Sequence, residues 1–332
     1  MKKNNFFLLS IFCFFTLCHS ALSNEFDQWL VNFKDKAISE GISRDTVNKV
    51  MSKAIFLPKV IEYDRFQPEF YEDTKTYVNK RSSNLKHKNG KKIYKKNSSI
   101  INNVEKKFNV EKELLLSLMG IETNFGKYVG KMDIISSLST LSFDKRRSEF
   151  FSNELLILLR LIDDNIINPE ILYGSWAGAF GYFQFMPSTI KNYAIDYNNN
   201  KIIELKNNED SFASAANYLN KIGWIKNDHC FYEVKLSNDV PPDILNTSAK
   251  KIKYKKKFKV YKKYIKNISD LSVSDDVTIA FITPDKDIIP ENQTLSPAYI
   301  VFDNYEKILQ WNRSLRFALA VCTLKNKFEN DL

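Results

Sequence analysis

Residues 114–127 read LLLSLMGIETNFGK. Leu115, Leu118 and Glu122 fall at i, i+3 and i+7 and so share one face of a helix, and Leu114, Ile121 and Phe125 widen that stripe. The spacing predicts an apolar helix that ends on a carboxylate, with Gly126 as its stop. Burying a charge without a partner is costly. The usual escape is protonation, which turns a buried carboxyl into an acid that works near neutral pH. The plainer reading is a solvated glutamate at a frayed helix end, and the stretch alone does not decide between the two.

The start of the chain reads as an address. Lys2 and Lys3 form a positive n-region, residues 6–17 are apolar apart from Ser10 and Thr16, and Ala21-Leu22-Ser23 offers small residues for a signal peptidase. The apolar run is short for a membrane span, so residues 1–23 are expected to be a signal peptide and the mature chain an exported, soluble, periplasmic protein. Lipid anchoring through Cys18 is not expected, because Phe15-Thr16-Leu17 lacks the small residue such a site uses. Of the four cysteines, Cys13 and Cys18 leave with the leader. Cys230 and Cys322 could pair in an oxidising compartment; two buried free thiols are slightly favoured. The histidines, His19, His87 and His229, show no zinc-ligand spacing.

About 310 residues then remain, enough for one large domain or two smaller ones. The formal charge is +10, or +8 without Lys2 and Lys3. A basic surface favours an acidic partner such as nucleic acid, anionic lipid or a cell-wall polymer, although lysine-rich composition alone gives the same balance.

Phe26, Trp29, Leu30, Phe33 and Ala37 stand at helical spacing, and Ser43 reads as the N-cap of a helix through Val47, Val50 and Met51. Pro58 and Pro68 bracket a looser segment, residues 86–96 read as a basic solvated loop or helix face, and Ser98 or Ser99 as the cap of a helix through Val104 and Phe108. Residues 150–162 are amphipathic. Residues 174–188 read GSWAGAFGYFQFMPS and hold three of the nine glycines. Aromatic residues alternating with glycine and ending on Gln184 suit a sugar, whose ring stacks on aromatic faces and whose hydroxyls bond an amide; a tightly packed structural loop is the alternative. An Asx-rich loop (196–210) precedes a helix through Ala213, Ala216 and Leu219, for which Gly223 is a good stop. Residues 231–236, 258–261, 277–282 and 299–301 read as strands, and 305–328 as helix.

Gly120-Ile121-Glu122-Thr123-Asn124-Phe125-Gly126, then Thr140-Leu141-Ser142-Phe143 with Arg146-Arg147, then residues 174–187, then Ala216-Asn217-Tyr218 with Gly223-Trp224, resemble the lytic murein transglycosylase B family in order and spacing. Trp311-Asn312-Arg313-Ser314 with residues 317–321 resembles its closing motif, so the likeness runs over nearly the whole mature chain, in a soluble form of a membrane-bound relative. The resemblance implies a mainly α (α+β) fold: a lysozyme-like core, an accessory helical domain and a small β-containing domain. The corresponding division is 24–75 for the N-terminal helical domain, 76–228 for the core, 229–300 for the β module, and 301–332 for a C-terminal helix lining the cleft.

It implies a peptidoglycan lyase that cleaves the MurNAc-β-1,4-GlcNAc bond and leaves 1,6-anhydro-MurNAc, with Glu122 acting as acid and then base. Ser175, Gln184, Tyr218, Arg146, Arg147, Tyr77, Trp311 and Asn312 match positions of the saccharide groove; Trp311 and Phe317 stand where relatives often carry tyrosine. Calcium, held by Asp196, Asn198, Asn200, the carbonyl of Ile202 and Asp210, is an optional structural ion, weighed against a plain Asx turn and helix cap; no cofactor is required. The expected partners are glycan strands and other wall-remodelling proteins, with no nucleic acid and a monomeric state. A non-catalytic wall-binding scaffold, a lysozyme-type hydrolase and a basic nucleic-acid binder are the competing readings.

Overall fold

The computed structural model describes residues 24–67, 71–286, 295–329 and 331–332. The leader expected at 1–23 lies outside them. In chain order the elements are α1 (24–39), α2 (Arg44–Met51), α3 (Pro58–Arg65), α4 (Thr74–Arg81), α5 (Asn84–Phe108), α6 (Lys112–Thr123), β1 (Met132–Asp133), α7 (Ile134–Phe143), α8 (Ser148–Asp163), β2 (Tyr173–Gly174), α9 (Pro187–Tyr193) and α10 (Asn208–Lys221). They continue with β3 (Phe231–Val234), β4 (Leu245–Asn246), β5 (Lys256–Lys257), α11 (Phe258–Tyr261), β6 (Thr278–Ile282), β7 (Ala298–Val301), α12 (Asp303–Trp311) and α13 (Leu315–Glu329). The fold is mostly helical, with some strands. Among the described residues no helix is long and apolar enough to cross a membrane.

The chain divides into two compact units, neither continuous in sequence. The first comprises residues up to 65, 129–192 and 199–203. Here α7 packs on α3 and α8, and α8 on α2. Phe26, Phe56 and Phe143 cluster with ring centroids 5.4–5.7 Å apart, and Trp29 stacks beside them. Ser43 caps α2 as expected, accepting the N–H of Thr46. The segment opened by Pro58 is helical instead of loose, because proline is well suited to a first helical turn.

The second unit comprises residues 66–128, 193–198 and 204–332. Its helices α4, α5 and α6 pack on α13, and α10 packs on α5 and α6. Residues 86–96 belong to a single long helix capped by Ser83, kinked at Asn97 (φ −125°, ψ 20°) close to the expected Ser98 cap. Gly90 is the reason that a lysine-rich run packs: a Cβ there would lie 2.2 Å from the Phe328 ring and 3.0 Å from that of Phe125. Beside the helices lies a small sheet in the order β3-β7-β6-β4, with β5 on β6. β6 and β7 are antiparallel (Phe281 opposite Ile300), and β4 runs parallel to β6. Residues 258–261 form a helical turn, not the expected strand, and bury Phe258 and Tyr261 in the core of this module.

Polar ties and a disulfide hold α13 within this unit. Buried Arg316 donates to Asp285 Oδ1 (2.9 Å), and Asp285 also accepts the N–H of Thr74 (2.9 Å), which fixes the start of α4. Lys325 pairs with Glu111 (3.3 Å), whose other oxygen accepts the indole N–H of Trp224 (2.7 Å). Burial pushes the Glu111 carboxyl up, against the pull of the Lys325 ammonium. Cys230 and Cys322 are joined in a disulfide, Cα–Cα 6.2 Å, which corrects the expectation of free thiols. The strand that follows Cys230 and the helix that carries Cys322 are brought together by long-range packing, which residue spacing does not reveal.

Candidate active site

Glu122 sits in the last turn of α6, a helix in which residues 113–120 and Thr123 are all buried. Leu115 and Leu118 are completely buried, and Glu122 itself is half-buried, so the expected stripe exists and the acid lies at its edge. The helix stops two residues earlier than Gly126. Asn124 (φ 50°), Phe125 (φ 62°) and Gly126 (φ 80°) all take left-handed backbone, and the N–H groups of Asn124 and Phe125 close on the carbonyls of Gly120 and Met119. This reversal folds the Phe125 ring back over the helix. Gly120 makes room for it, since a Cβ there would stand 2.8 Å from the ring.

The Glu122 carboxylate accepts a hydrogen bond from the indole N–H of Trp311 (Nε1–Oε1 3.0 Å). Trp311 closes α12, and its ring stacks on Tyr218 of α10 at 4.9 Å and 21°. Tyr218 stacks in turn on Tyr193 at 4.3 Å. Two near-parallel rings this close to one ring must occupy its opposite faces, so Tyr218 is sandwiched. Its hydroxyl donates to the Gln310 carbonyl (3.0 Å), and burial pushes the phenol up to about 12, so it stays neutral. An indole N–H donates and cannot accept.

Asn312 follows Trp311 in extended backbone at the end of α12, with its N–H on the Ile308 carbonyl (3.0 Å). Tyr77 on α4 is buried, with the Arg81 guanidinium 3.7 Å from its ring centroid. One feature of this neighbourhood escapes sequence reading. Lys86 Nζ donates to the Gly120 carbonyl (2.7 Å), two residues from the acid, and burial lowers its amine to about 8. Lys86 stands one helical turn before Gly90, and that spacing against the α6 packing face was the available signal.

Ser175, Gln184, Arg146 and Arg147 lie in the first unit. Ser175 Oγ accepts the N–H groups of Ala177 (3.3 Å) and Ala179 (3.1 Å). Gln184, in left-handed backbone, donates its amide to the carbonyls of Gly181 (2.9 Å) and Val129 (3.3 Å). Both side chains therefore brace the glycine-rich loop. Phe180, Phe183 and Phe185 are buried, so these rings pack the loop instead of offering faces to a sugar; Trp176 and Tyr182 are the half-exposed rings. Arg146 donates to the carboxylate and the carbonyl of Asp64 (2.8 and 2.7 Å), and Arg147 pairs with the same buried carboxylate. The basic pair is thus clamped on a buried aspartate. Glu154, a second buried acid of this unit, accepts the N–H and hydroxyl of Ser188 (2.8 and 2.6 Å) and caps α9.

In the Asx-rich segment the wholly buried Asp210 accepts the N–H groups of Tyr197 and Glu204 (2.9 Å each), and Asn200 Oδ1 accepts that of Ile202 (2.9 Å). Lys201 takes left-handed backbone (φ 74°), where glycine would fit at no cost. No group of three or more His, Cys, Asp or Glu suited to a metal occurs among the described residues. The candidate donors are two carboxylates, two amides and a carbonyl, oxygen groups of the kinds a hard cation takes; Asp196, Asn198 and Asp210 belong to the second unit, and Asn200 and Ile202 to the first.

Residues 25–326 match the family model described as transglycosylase SLT domain. The chain belongs to that family. Over 141 residues this SLT-domain chain is 39% identical to membrane-bound lytic murein transglycosylase B of Escherichia coli K12, a match that spans 42% of this chain and only 39% of that protein's length. Its structure is similar to SltB3 of Pseudomonas aeruginosa in complex with NAG-anhNAM-pentapeptide (TM-score 0.80, 27% identity, 92% of this chain and 79% of that one). It is also similar to the lytic transglycosylase Slt35 of E. coli in complex with calcium (TM-score 0.75, 25% identity, 91% and 92%).

Proposed function

We propose that this SLT-domain chain is a lytic transglycosylase that cleaves the MurNAc-β-1,4-GlcNAc bond of peptidoglycan and leaves 1,6-anhydro-MurNAc. The observation that carries this reading is the Glu122 carboxylate at the end of an apolar helix, held through one oxygen by a donor-only partner. Protonated Glu122 gives its proton to the glycosidic oxygen as the C1–O bond breaks and an oxocarbenium-like centre forms at C1. The C6 hydroxyl oxygen of the same sugar then closes on C1, and its proton returns to Glu122. The acid is regenerated and no water is consumed. Hydrolytic glycosidases need a second carboxylate; here the nucleophile is tethered, and proximity replaces that partner.

Tyr218, Trp311, Asn312 and Tyr77 are proposed as groove residues. The hydroxyl proton of Ser175 and the amide oxygen of Gln184 are the atoms by which those braces would meet a sugar. Arg146 and Arg147, oriented by Asp64, are proposed to meet lactyl or peptide carboxylates. The partition into a helical domain (24–75), a core (76–228), a β module (229–300) and a closing helix (301–332) belongs to the same proposal, as do export to the periplasm, work beside other wall-remodelling proteins, and a monomeric state.

The test is mass analysis of the soluble products from purified sacculi. Anhydro-muropeptides are expected; reducing ends would make the protein a hydrolase, and sedimentation with sacculi but no product would make it a scaffold. Trp311→Phe keeps a ring against Tyr218 and removes the N–H. It should lower kcat about 10- to 100-fold, the worth of one hydrogen bond to a charged group, with KM nearly unchanged. An unaltered kcat would separate the indole from catalysis. Asp196, Asn198, Asn200, Ile202 and Asp210 are proposed to hold calcium as a structural ion with no part in the chemistry. Added calcium should raise the melting temperature by a few degrees and EDTA should leave kcat unchanged; a melting temperature indifferent to calcium would remove the ion from this loop.

A further inference from the structure

Lys86 stands in the first turn of α5, where Ser83 caps the helix and accepts the Lys86 N–H (3.3 Å). That end of a helix favours anions and disfavours cations, and α5 carries no acid in its first turn. The lysine therefore runs against the preference of its own helix, and its side chain serves a neighbour. The ammonium crosses to the C-terminal end of α6, the end that does favour a cation, and donates to the Gly120 carbonyl (2.7 Å). That carbonyl lies in the last turn of α6, the turn that carries Glu122, and it also accepts the N–H of Asn124 (3.1 Å).

The reversal that follows Glu122 needs holding. Asn124 and Phe125 take left-handed backbone without being glycine, a conformation that L-residues adopt at a cost and keep only where their surroundings enforce it. Thr123 enforces it from within, its Oγ1 accepting the N–H of Gly126 (3.0 Å) and its carbonyl that of Tyr128 (2.9 Å). The face of α5 enforces it from outside. Gly90 leaves the space that the Phe125 ring fills, and Lys86, one turn earlier on the same face, grips the backbone of the acid's own turn. The neighbouring cation, Arg81, is occupied elsewhere, on Glu72 (3.0 Å) and over the Tyr77 ring. Glu122 in turn accepts the Trp311 indole N–H at 3.0 Å, a contact that a small shift of the α6 end would lengthen.

We propose that Lys86 is a positioning residue: by holding the Gly120 carbonyl, its ammonium fixes the last turn of α6 and so sets the direction of the Glu122 carboxylate. This rests on the transglycosylase reading, and the test reads the two separately. In Lys86→Met, which fills similar space with neither charge nor donor, kcat should fall about tenfold, the worth of a hydrogen bond from a charged group, while KM and sedimentation with sacculi stay unchanged. Lys86→Arg, which keeps a charge and donors, should recover most of that loss. A second readout needs no turnover. The indole N–H resonance of Trp311, identified by its absence in Trp311→Phe, should shift in Lys86→Met and return toward its wild-type position in Lys86→Arg. Should Lys86→Met fail to fold, Lys86→Gln, a shorter neutral side chain, carries the same measurements. An unmoved resonance, a loss confined to KM, or a Lys86→Arg variant as impaired as Lys86→Met would overturn the proposal. A shifted resonance in a protein that cleaves no glycan would leave the assignment of Lys86 standing and sink the transglycosylase reading; anhydro-product from a protein whose resonance and kcat are indifferent to Lys86 would do the reverse.

Discussion

Glu122→Gln should reduce the release of anhydro-muropeptides by a factor of about 10⁴, the upper range for a single acid–base group, because the same side chain carries the proton in both halves of the reaction. The substitution is close to isosteric. The glutamine carbonyl can still accept the Trp311 indole N–H, so the Trp311–Tyr218–Tyr193 stack keeps its support. What is lost is a proton that can be given up and taken back. Sedimentation with sacculi should therefore be nearly unchanged while soluble product disappears. Glu154 cannot stand in, since its two oxygens cap Ser188 inside the other unit. A variant that retained more than about a tenth of the wild-type rate would show that the proton travels through another group.

Breaking the Cys230–Cys322 bond should have the largest effect on stability. The bond spans 92 residues, including the small sheet and α12. Closing a loop of that length restricts the unfolded chain by about 4–5 kcal/mol. Cys322→Ala should lower the melting temperature by on the order of 10 °C, and reductant should lower that of the wild type by a similar amount. Cys230→Ala should match Cys322→Ala, and the double variant should add little, because each removes the same constraint. Two free thiols in the native, unreduced protein would refute the bond, and so would a melting temperature indifferent to reductant.

The helices were legible where local chemistry and burial agree. Ser43 caps α2, and Gly223, in left-handed backbone (φ 84°), follows the end of α10 as its spacing predicts. The acid at the end of α6 was visible because a glutamate on a leucine stripe is anomalous. The misreadings have physical causes. The lysine-rich run of α5 looks solvated, yet Gly90 turns one face into a socket for two phenylalanines from distant positions. Residues 258–261 have strand composition, but packing of Phe258 and Tyr261 sets them as a helical turn. In the glycine-rich block the aromatic residues divide between packing and exposure, a choice that side-chain type does not specify. Ser175, Gln184, Arg146 and Arg147 all have structural partners that only the folded backbone reveals.

The chain's path between its two units also limits how the protein can be cut and reassembled. Residues 129–192 and 199–203 belong with the N-terminal portion, while 66–128, 193–198 and everything after 203 belong together. No single scissile point separates either unit from segments of the other. A truncation to 66–332 keeps the acid and its aromatic partners but strands residues 129–192 and 199–203 without the N-terminal helices they belong with, so grafting this catalyst onto another scaffold would mean carrying that insertion along.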